Sequence, residues 1–519
     1  MTKALSPTSA RTRSHWKKIQ LPRFSPLGKA LNVDVLVIGG GMTGISTAYL
    51  IKKAGRSVAL IERDHLAQQD TANTTAHLTC VTDLRLKKLV KTFGRDHAQA
   101  VWDAGLAAID QIEANVRAES ISCEFTRVPG FLFAAIDGED DETGGLKEDA
   151  QLANELGFSA DFVPSVPLFN RPGVRFANQA KFHPLKYLAG LVQRIPGDGC
   201  DVFEETEAKE FEQPDTDGPI RVNAGGHSIT CNFVVVATDV PLTGVSNLVG
   251  ATLLQSKLAP YTSYVVGAKL PKGMVAEASF WDTSDPYYYL RVDRHRDHDY
   301  AVFGGLDHKT GQEEDTQGRF DDLERVLLRF LPDAQIDAHW SGQVIESQDG
   351  LPLIGETVDR QFVATGYSGN GITFGTLAAM MARDRAMGRR NPWSDLFDPN
   401  RLKLKGGTWN YLRENLDYPY YMIKDRLVGA EGQSLGSLPR GQGMILKLDG
   451  KRVAVYRDSN GRTTVLSPVC PHMGCIVHWN EAETTWDCPC HGSRFRCTGE
   501  VLAGPAERAL EPIKVTLGK

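Results

Sequence analysis

The 519-residue sequence predicts an α/β domain on a parallel sheet, an α+β part with an antiparallel sheet, and an all-β C-terminal domain. Three observations predict this. Near the N-terminus an apolar strand run, Val35–Ile38, is followed by Gly39-x-Gly41-x-x-Gly44, a helical pattern to about Lys53, and a second strand run, Val58–Ile61. In the middle, Tyr287-Tyr288-Tyr289-Leu-Arg291 and Tyr300-Ala-Val-Phe-Gly304-Gly305 alternate as antiparallel strands do. Towards the C-terminus, strand-like runs at Met444–Lys447, Arg452–Tyr456 and Thr463–Leu466 are separated by Asp449-Gly450 and Asn460-Gly461, both turn dipeptides.

Each part of the first element has a physical task. Gly39 permits a tight turn, Gly41 lets the backbone approach a pyrophosphate, and Gly44 lets helix pack on strand. The helix N-terminus then faces phosphate charge, and Glu62, closing the second strand, can accept from both ribose hydroxyls. This is a Rossmann-type nucleotide site. Downstream lies a hydroxyl-rich loop, Thr71-Ala-Asn-Thr74-Thr75-Ala76-His77-Leu-Thr79, and Cys231 to Thr238 reads as a buried parallel strand ending at Ala237. His183-Pro184 opens a further helical stretch. Much later comes Trp340-Ser-Gly342, then Asp349-Gly350-Leu-Pro352-Leu-Ile-Gly355, then Gly366-Tyr-Ser368-Gly369-Asn370-Gly371-Ile372-Thr373-Phe-Gly375, which opens a helix to about Met387.

Together these elements resemble the D-amino-acid-oxidase-like flavoprotein superfamily, most closely its γ-glutamylputrescine oxidoreductase-like branch. Ser14-His-Trp16, the Thr-Thr-Ala loop and Ala-Thr-Asp239 carry the latter likeness. The resemblance implies an FAD-binding Rossmann-type domain with an antiparallel substrate sheet over the flavin face. It places FAD against Gly39, Gly41, Met42, Thr43, Gly44, Glu62, Arg63, Thr74, Thr75, Ala237, Gly366, Ser368, Gly369, Asn370, Gly371, Ile372 and Thr373. The late Gly-rich segment would direct backbone N–H groups and a helix N-terminus at the flavin pyrimidine, favouring the anionic reduced flavin. Tyr289, Arg291 and His77 are the candidate catalytic residues, with ordinary strand surface or a loop-capping histidine as the alternative. The substrate implied is a small amine or amino-acid-like molecule.

The C-terminal domain carries Cys470-Pro-His472-Met-Gly-Cys475 and Cys488-Pro-Cys490-His491-Gly-Ser493. Each loop supplies one Cys and one His, as C-x-H and C-x-x-H separated by fifteen residues. Structural zinc sites commonly use C-x₂₋₄-C and H-x₃₋₅-H spacings, so zinc is the lesser alternative. The pattern resembles the Rieske [2Fe–2S] motif, in which two Cys (Cys470, Cys488) hold one iron and two His (His472, His491) the other. The resemblance further implies a disulfide between Cys475 and Cys490 (two buried thiols being the alternative), a Ser493 hydroxyl bonded to a bridging sulfide, and a cover loop at Gly504-Pro505-Ala506. Phe495 stands where high-potential members carry Tyr. One donor to a ligand sulfur is therefore missing, and a potential below the top of the roughly −150 to +300 mV span follows.

The expected organisation is an N-terminal arm at 1–30, an oxidoreductase unit at 31–397, a linker with a helix at 398–431 and the Rieske domain at 432–519. Within the oxidoreductase unit, FAD-binding parts fall at about 31–120, 176–245 and 341–397, and substrate-sheet parts at about 121–175 and 246–340. The first 23 residues hold six Lys or Arg without an apolar stretch like that of a signal peptide, and read as a poorly ordered polar arm. No apolar run approaches the ~20 residues of a membrane helix. A net charge of −6 argues against a nucleic-acid partner. Five of nine Cys crowd into 470–497, so this is no secreted disulfide framework, and a cytoplasmic location is expected.

The leading functional expectation is oxidation of the amine by FAD, with electrons passing to the Rieske cluster through exposed His472 and His491 to an external acceptor. The alternatives are an electron-transfer relay reduced through its cluster by a partner protein, and an oxygen-using oxidase with the cluster as redox sensor. A Rieske oxygenase needs a mononuclear iron held by two His and a carboxylate, and the sparse His at 77, 183, 227, 295, 298 and 308 do not suggest one.

Overall fold

The computed structural model describes residues 13–212, 218–240, 254–401, 421, 424, 430–432 and 435–515. At its centre the strand Leu31–Ile38 pairs in parallel with Val58–Ile61 on one side and His227–Val236 on the other. Asp201–Phe203 and Gln361–Thr365 extend this parallel sheet, and Leu353–Val358 closes one edge antiparallel. The strand is buried on both faces: Val35 and Val37 enter one core cluster, Leu36 and Ile38 another. Such near-continuous apolar runs are what a helix-covered parallel sheet requires. Met42–Lys53 and Gly371–Ala386 cover one face, and a Cβ on Gly375 would lie 2.8 Å from Thr43 Oγ1.

A second, nine-stranded sheet runs in the order Gln335–Ser347, Leu258–Leu270, Asp299–Lys309, Tyr289–Arg294, Ser279–Asp282, Thr126–Phe133, Gly173–Lys181, His77–Leu78, with Ala160–Val163 beside Gly173–Lys181. All its pairings are antiparallel except Ser279–Asp282 with Thr126–Phe133. The strands Gly173–Lys181 and Gln335–Ser347 run across the expected internal boundaries at 176 and 341. Both strands belong wholly to this second sheet, so a boundary placed inside either one divides a single element.

The C-terminal domain has a three-stranded sheet, Gln442–Leu448, Lys451–Arg457 and Thr463–Leu466, and a four-stranded one, His478–Asn480, Thr485–Asp487, Arg494–Arg496 and Val501–Ala503. Asp449 and Gly450 both take positive φ (47° and 75°), the twist-matching turn their sequence suggests. The helix expected over 408–426 falls almost wholly outside the described residues. No described helix is long and apolar enough to cross a membrane.

The arm differs from its expectation. From residue 13 it is built into the fold: Ser14 and Trp16 are buried, Trp16 Nε1 donates to Thr74 O at 2.6 Å, and Arg13 N donates to His339 O. One large aromatic in a polar stretch is sufficient to anchor it, because burying such a ring outweighs ordering a few residues.

Candidate active site and cluster loops

One cavity of about 730 Å³ runs from the end of the parallel sheet to the antiparallel sheet. At the first end the glycines fit the task assigned to them. A Cβ on Gly44 would lie 1.8 Å from Gly39 O, and one on Gly39 2.4 Å from Ala237 O, so turn, helix and strand close on one another. Gly41 faces the cavity, where an added Cβ would meet only Thr71 Oγ1. Glu62 lines the same end: its Oε2 accepts from Gly40 N at 2.7 Å and its Oε1 from Asp64 N at 2.8 Å. Burial raises its pKa, partly offset by those two N–H groups. Met42, Thr43, Arg63, Thr74, Thr75 and Ala237 also line the cavity.

The late Gly-rich segment contributes Ser368, Gly369, Asn370, Gly371 and Ile372 to the wall. Gly366 (φ 72°) makes the turn behind it, and Thr373 Oγ1 donates to Thr79 O, so these two support the wall without lining it. Asn370 Nδ2 donates to Val81 O at 3.1 Å, tying the segment to the hydroxyl-rich loop. Gly369 N donates to Asp83 Oδ2 at 2.7 Å.

At the antiparallel end, Tyr289 faces the cavity; its hydroxyl is 2.8 Å from Ser263 Oγ and its ring meets His77 edge-on at 5.7 Å. His77 also lines the cavity, and burial, then Arg291, lowers its pKa to about 4, so its ring is neutral. Arg291 departs from expectation. It is 2% exposed and outside the cavity, with Nη1 donating to Ala76 O (2.6 Å), Nη2 to Phe182 O (2.7 Å) and Nε to Asp293 Oδ1 (2.9 Å). Its guanidinium packs on the Trp16 ring, 5.1 Å from the centroid. It points to the same side of the strand as Tyr289, but the arm and the Thr75–Ala76 turn cover it, making it a buried brace.

Sequence reading missed Asp83, Tyr287, Asp307 and Gln343, all in the cavity wall. A signal existed for Asp307: Gly304-Gly305 inside a strand marks an irregularity, and the register shifts where Gly305 pairs with Tyr264. Asp239, which enters the sequence reading only within the Ala-Thr-Asp run, lines the cavity, and burial, then Asp70, pushes its pKa up to about 8.

The two Cys-His loops share one local geometry. Cys470 N donates to Cys475 O and Gly474 N to Cys470 O; Cys488 N donates to Ser493 O and Gly492 N to Cys488 O. Gly474 and Gly492 take positive φ, 83° and 66°. Cys475 and Cys490 are disulfide-bonded, joining the loops. The His472 and His491 rings stand perpendicular at 4.9 Å, and the Cys470 and Cys488 thiols interact directly. The sulfurs of Cys475, Cys488 and Cys490 also lie within 4.8 Å of one another, but two of the three are bonded and hold no thiolate. Two adjacent thiols and two adjacent imidazoles are a donor set that fits an asymmetric di-iron cluster. Ser493 is fully buried beside Cys470, and its Oγ accepts from Ala506 N at 3.1 Å. The two histidines are half-buried rather than exposed as expected, with His472 Nε2 3.2 Å from Gln255 Oε1.

The cluster loops are docked on the oxidoreductase part. Gln343 Nε2 donates to Gly492 O at 2.8 Å, Gln312 Nε2 to Pro489 O at 3.0 Å, and the His478 ring meets Gly311 O at 2.8 Å. Leu502, Ala503, Gly504, Ala506, Glu507 and Arg508 line the same cavity as the glycine fingerprint. Pro505 lies within this loop.

Comparison with known proteins agrees with both halves. Residues 34–385 match the family model "FAD dependent oxidoreductase" (DAO), and residues 433–514 match "Rieske [2Fe-2S] domain". YhfW of Bacillus subtilis (strain 168), named for a Rieske 2Fe-2S iron-sulfur protein, is 32% identical over 506 residues, 96% of this chain and 97% of the relative. Gamma-glutamylputrescine oxidoreductase of Escherichia coli (strain K12) is 22% identical over 422 residues, 78% of this chain and 95% of that protein. Glycine oxidase from Geobacillus kaustophilus superposes with a TM-score of 0.59 at 16% identity, covering 72% of this chain and 99% of that one, a likeness of fold.

Proposed function

The chain belongs to the FAD dependent oxidoreductase (DAO) family and carries a C-terminal Rieske [2Fe–2S] domain, and on that premise we propose that it oxidises a small amine or amino-acid-like substrate and delivers the electrons, through its own Rieske domain, to an external acceptor. When bound, FAD supplies a two-electron acceptor and the cluster a one-electron carrier. The single observation that carries the reading is the shared wall: the Rieske cover loop lines the cavity that holds the dinucleotide fingerprint.

The chain's own residues support the rest. Gln343 lines the cavity and donates to Gly492, between His491 and Ser493, while Ala506 lines it and donates to Ser493. Two short hydrogen-bonded bridges therefore join cavity wall to cluster loop. Tyr289 is kept protonated by burial, so its hydroxyl is able to donate, and His77 is kept neutral, so one of its ring nitrogens is able to accept. Leu132, Val265 and Trp281 give the substrate end an apolar lining that limits water. Val469 and Met473 are exposed beside the cluster loop and offer an acceptor a place to approach.

The test is anaerobic stopped-flow mixing of holoprotein with a panel of amines and amino acids. Flavin bleaching followed by cluster reduction is the expected order. Cluster reduction only on adding a reduced partner protein, or rapid peroxide formation when oxygen is admitted to the cluster-less Cys470→Ser variant, would contradict the proposal.

A further inference from the structure

Resting on the amine-oxidising reading above, we propose that Asp307 anchors a cationic group of the substrate, so that the cavity selects organic ammonium compounds over their neutral and carboxylate counterparts. Asp307 follows the Gly304-Gly305 irregularity, which directs it into the cavity beside Ser263, Tyr287 and Tyr289. Its Oδ1 is sealed from solvent and has no hydrogen-bond partner among the described residues. The charged neighbours that act on it, Asp83 and Asp285, are both carboxylates.

Two arginines of this region, Arg85 and Arg291, are committed elsewhere. Arg85, which lines the same cavity, donates through Nε to Asp149 at 3.0 Å, and Arg291 is enclosed by Asp293, Ala76 and Phe182. A buried carboxyl oxygen without a donor is costly to retain. Burial and then Asp83 and Asp285 raise the Asp307 pKa to about 7, against the lowering effect of the Ser263 hydroxyl. A cation arriving in the cavity reverses that balance, because an adjacent opposite charge favours the ionised carboxylate. The rings of Tyr287 and Tyr289, with centroids 5.8 Å apart, add aromatic faces that attract a cation. An incoming carboxylate meets the two carboxyl groups of Asp83 and Asp307.

The experiment titrates oxidised holoprotein with n-butylamine, n-butanol and butyrate, three ligands of similar size and different charge, and reads the flavin absorbance shift. Butylammonium is expected to bind about tenfold or more tightly than butanol, with butyrate weakest. Asp307→Asn should remove that preference by weakening the amine and relieving butyrate, with butanol and flavin content unchanged, and Asp307→Glu should recover part of it. Equal affinity of the wild-type protein for all three ligands would overturn the proposal, as would an Asp307→Asn protein that binds butylammonium as the wild type does. Should Asp307→Asn fail to fold, the wild-type series decides alone. Flavin bleaching is scored separately: selective binding with no bleaching by any amine sinks the oxidation reading and leaves the anchor, whereas bleaching without charge preference does the reverse.

Discussion

Gly44 has no room for a side chain, since an added Cβ would lie 1.8 Å from the Gly39 carbonyl oxygen. Backbone on both sides leaves nothing to yield, so Gly44→Ala should destabilise the protein by about 3 kcal/mol and abolish flavin retention, measured by thermal unfolding and by absorbance after gel filtration. Asp239 makes a prediction of opposite character. Its pKa is raised from the carboxylate value to about 8 by burial, then by Asp70. The folded state thus holds a proton that the unfolded chain releases above about pH 4. Stability contributed by that proton is present at low pH and is lost as pH rises from about 4 through 8. Asp239→Asn, which imitates the protonated acid, should gain on the wild type by about 1 kcal/mol per pH unit across that window. A pH-independent difference in chemical denaturation would refute the assignment. At this scale the sequence was partly legible. Gly39, Gly41, Gly44 and Glu62 announce themselves because phosphate binding dictates their spacing. Asp83 does not, because its partners Tyr287 and Gly369 lie more than two hundred positions away, and Asp307 is marked only by the Gly304-Gly305 irregularity before it. Arg291 misled for the reason that hid Asp83: its strand position was readable, but the Trp16 arm that covers it was not.

Among the elements, the paired cluster loops are the clearest case of local sequence dictating local structure. Each is a Cys-closed turn ending on a positive-φ glycine, and a single disulfide ties them over a separation of 15 residues. Closing a loop of that length contributes about 3 kcal/mol through the unfolded state. The double replacement Cys475→Ser with Cys490→Ser should therefore lower the denaturant midpoint of the cluster absorbance while leaving the flavin transition nearly unmoved. Ser493 lies beside Cys470 and is held by Ala506. Loss of its hydroxyl in Ser493→Ala should lower the cluster potential by about 60 mV, the one-electron equivalent of one hydrogen bond of about 1.4 kcal/mol. An unchanged potential in protein-film voltammetry would place that hydroxyl away from the cluster. The strands of this domain were readable from their turn dipeptides. The long strand Gln335–Ser347 was not separable, because what changes along it is burial, from exposed or intermediate before Trp340 to alternately buried and intermediate after it, and not residue type.

For the whole molecule, the sequence announced two redox modules and their cofactors but not how they meet. Docking rests on contacts between parts distant in the chain: Gln343 with Gly492, Gln312 with Pro489, and a glycine at 492 whose Cβ would strike Pro260 at 2.2 Å. None of these has a local signature. On the proposed function, the docked arrangement would make transfer between the modules a property of one polypeptide. Gln343→Ala removes one bridge and should slow cluster reduction several-fold without altering the bleaching step, whereas equal slowing of both would assign Gln343 to the substrate reaction. The most direct test of the central claim is the concentration dependence of cluster reduction, followed by rapid-freeze EPR after anaerobic mixing of the holoprotein with an oxidisable amine. Transfer within one chain predicts a first-order rate that stays constant across a tenfold range of protein concentration. A rate that rises in proportion to protein concentration, or a cluster that stays oxidised while the flavin bleaches, would contradict it.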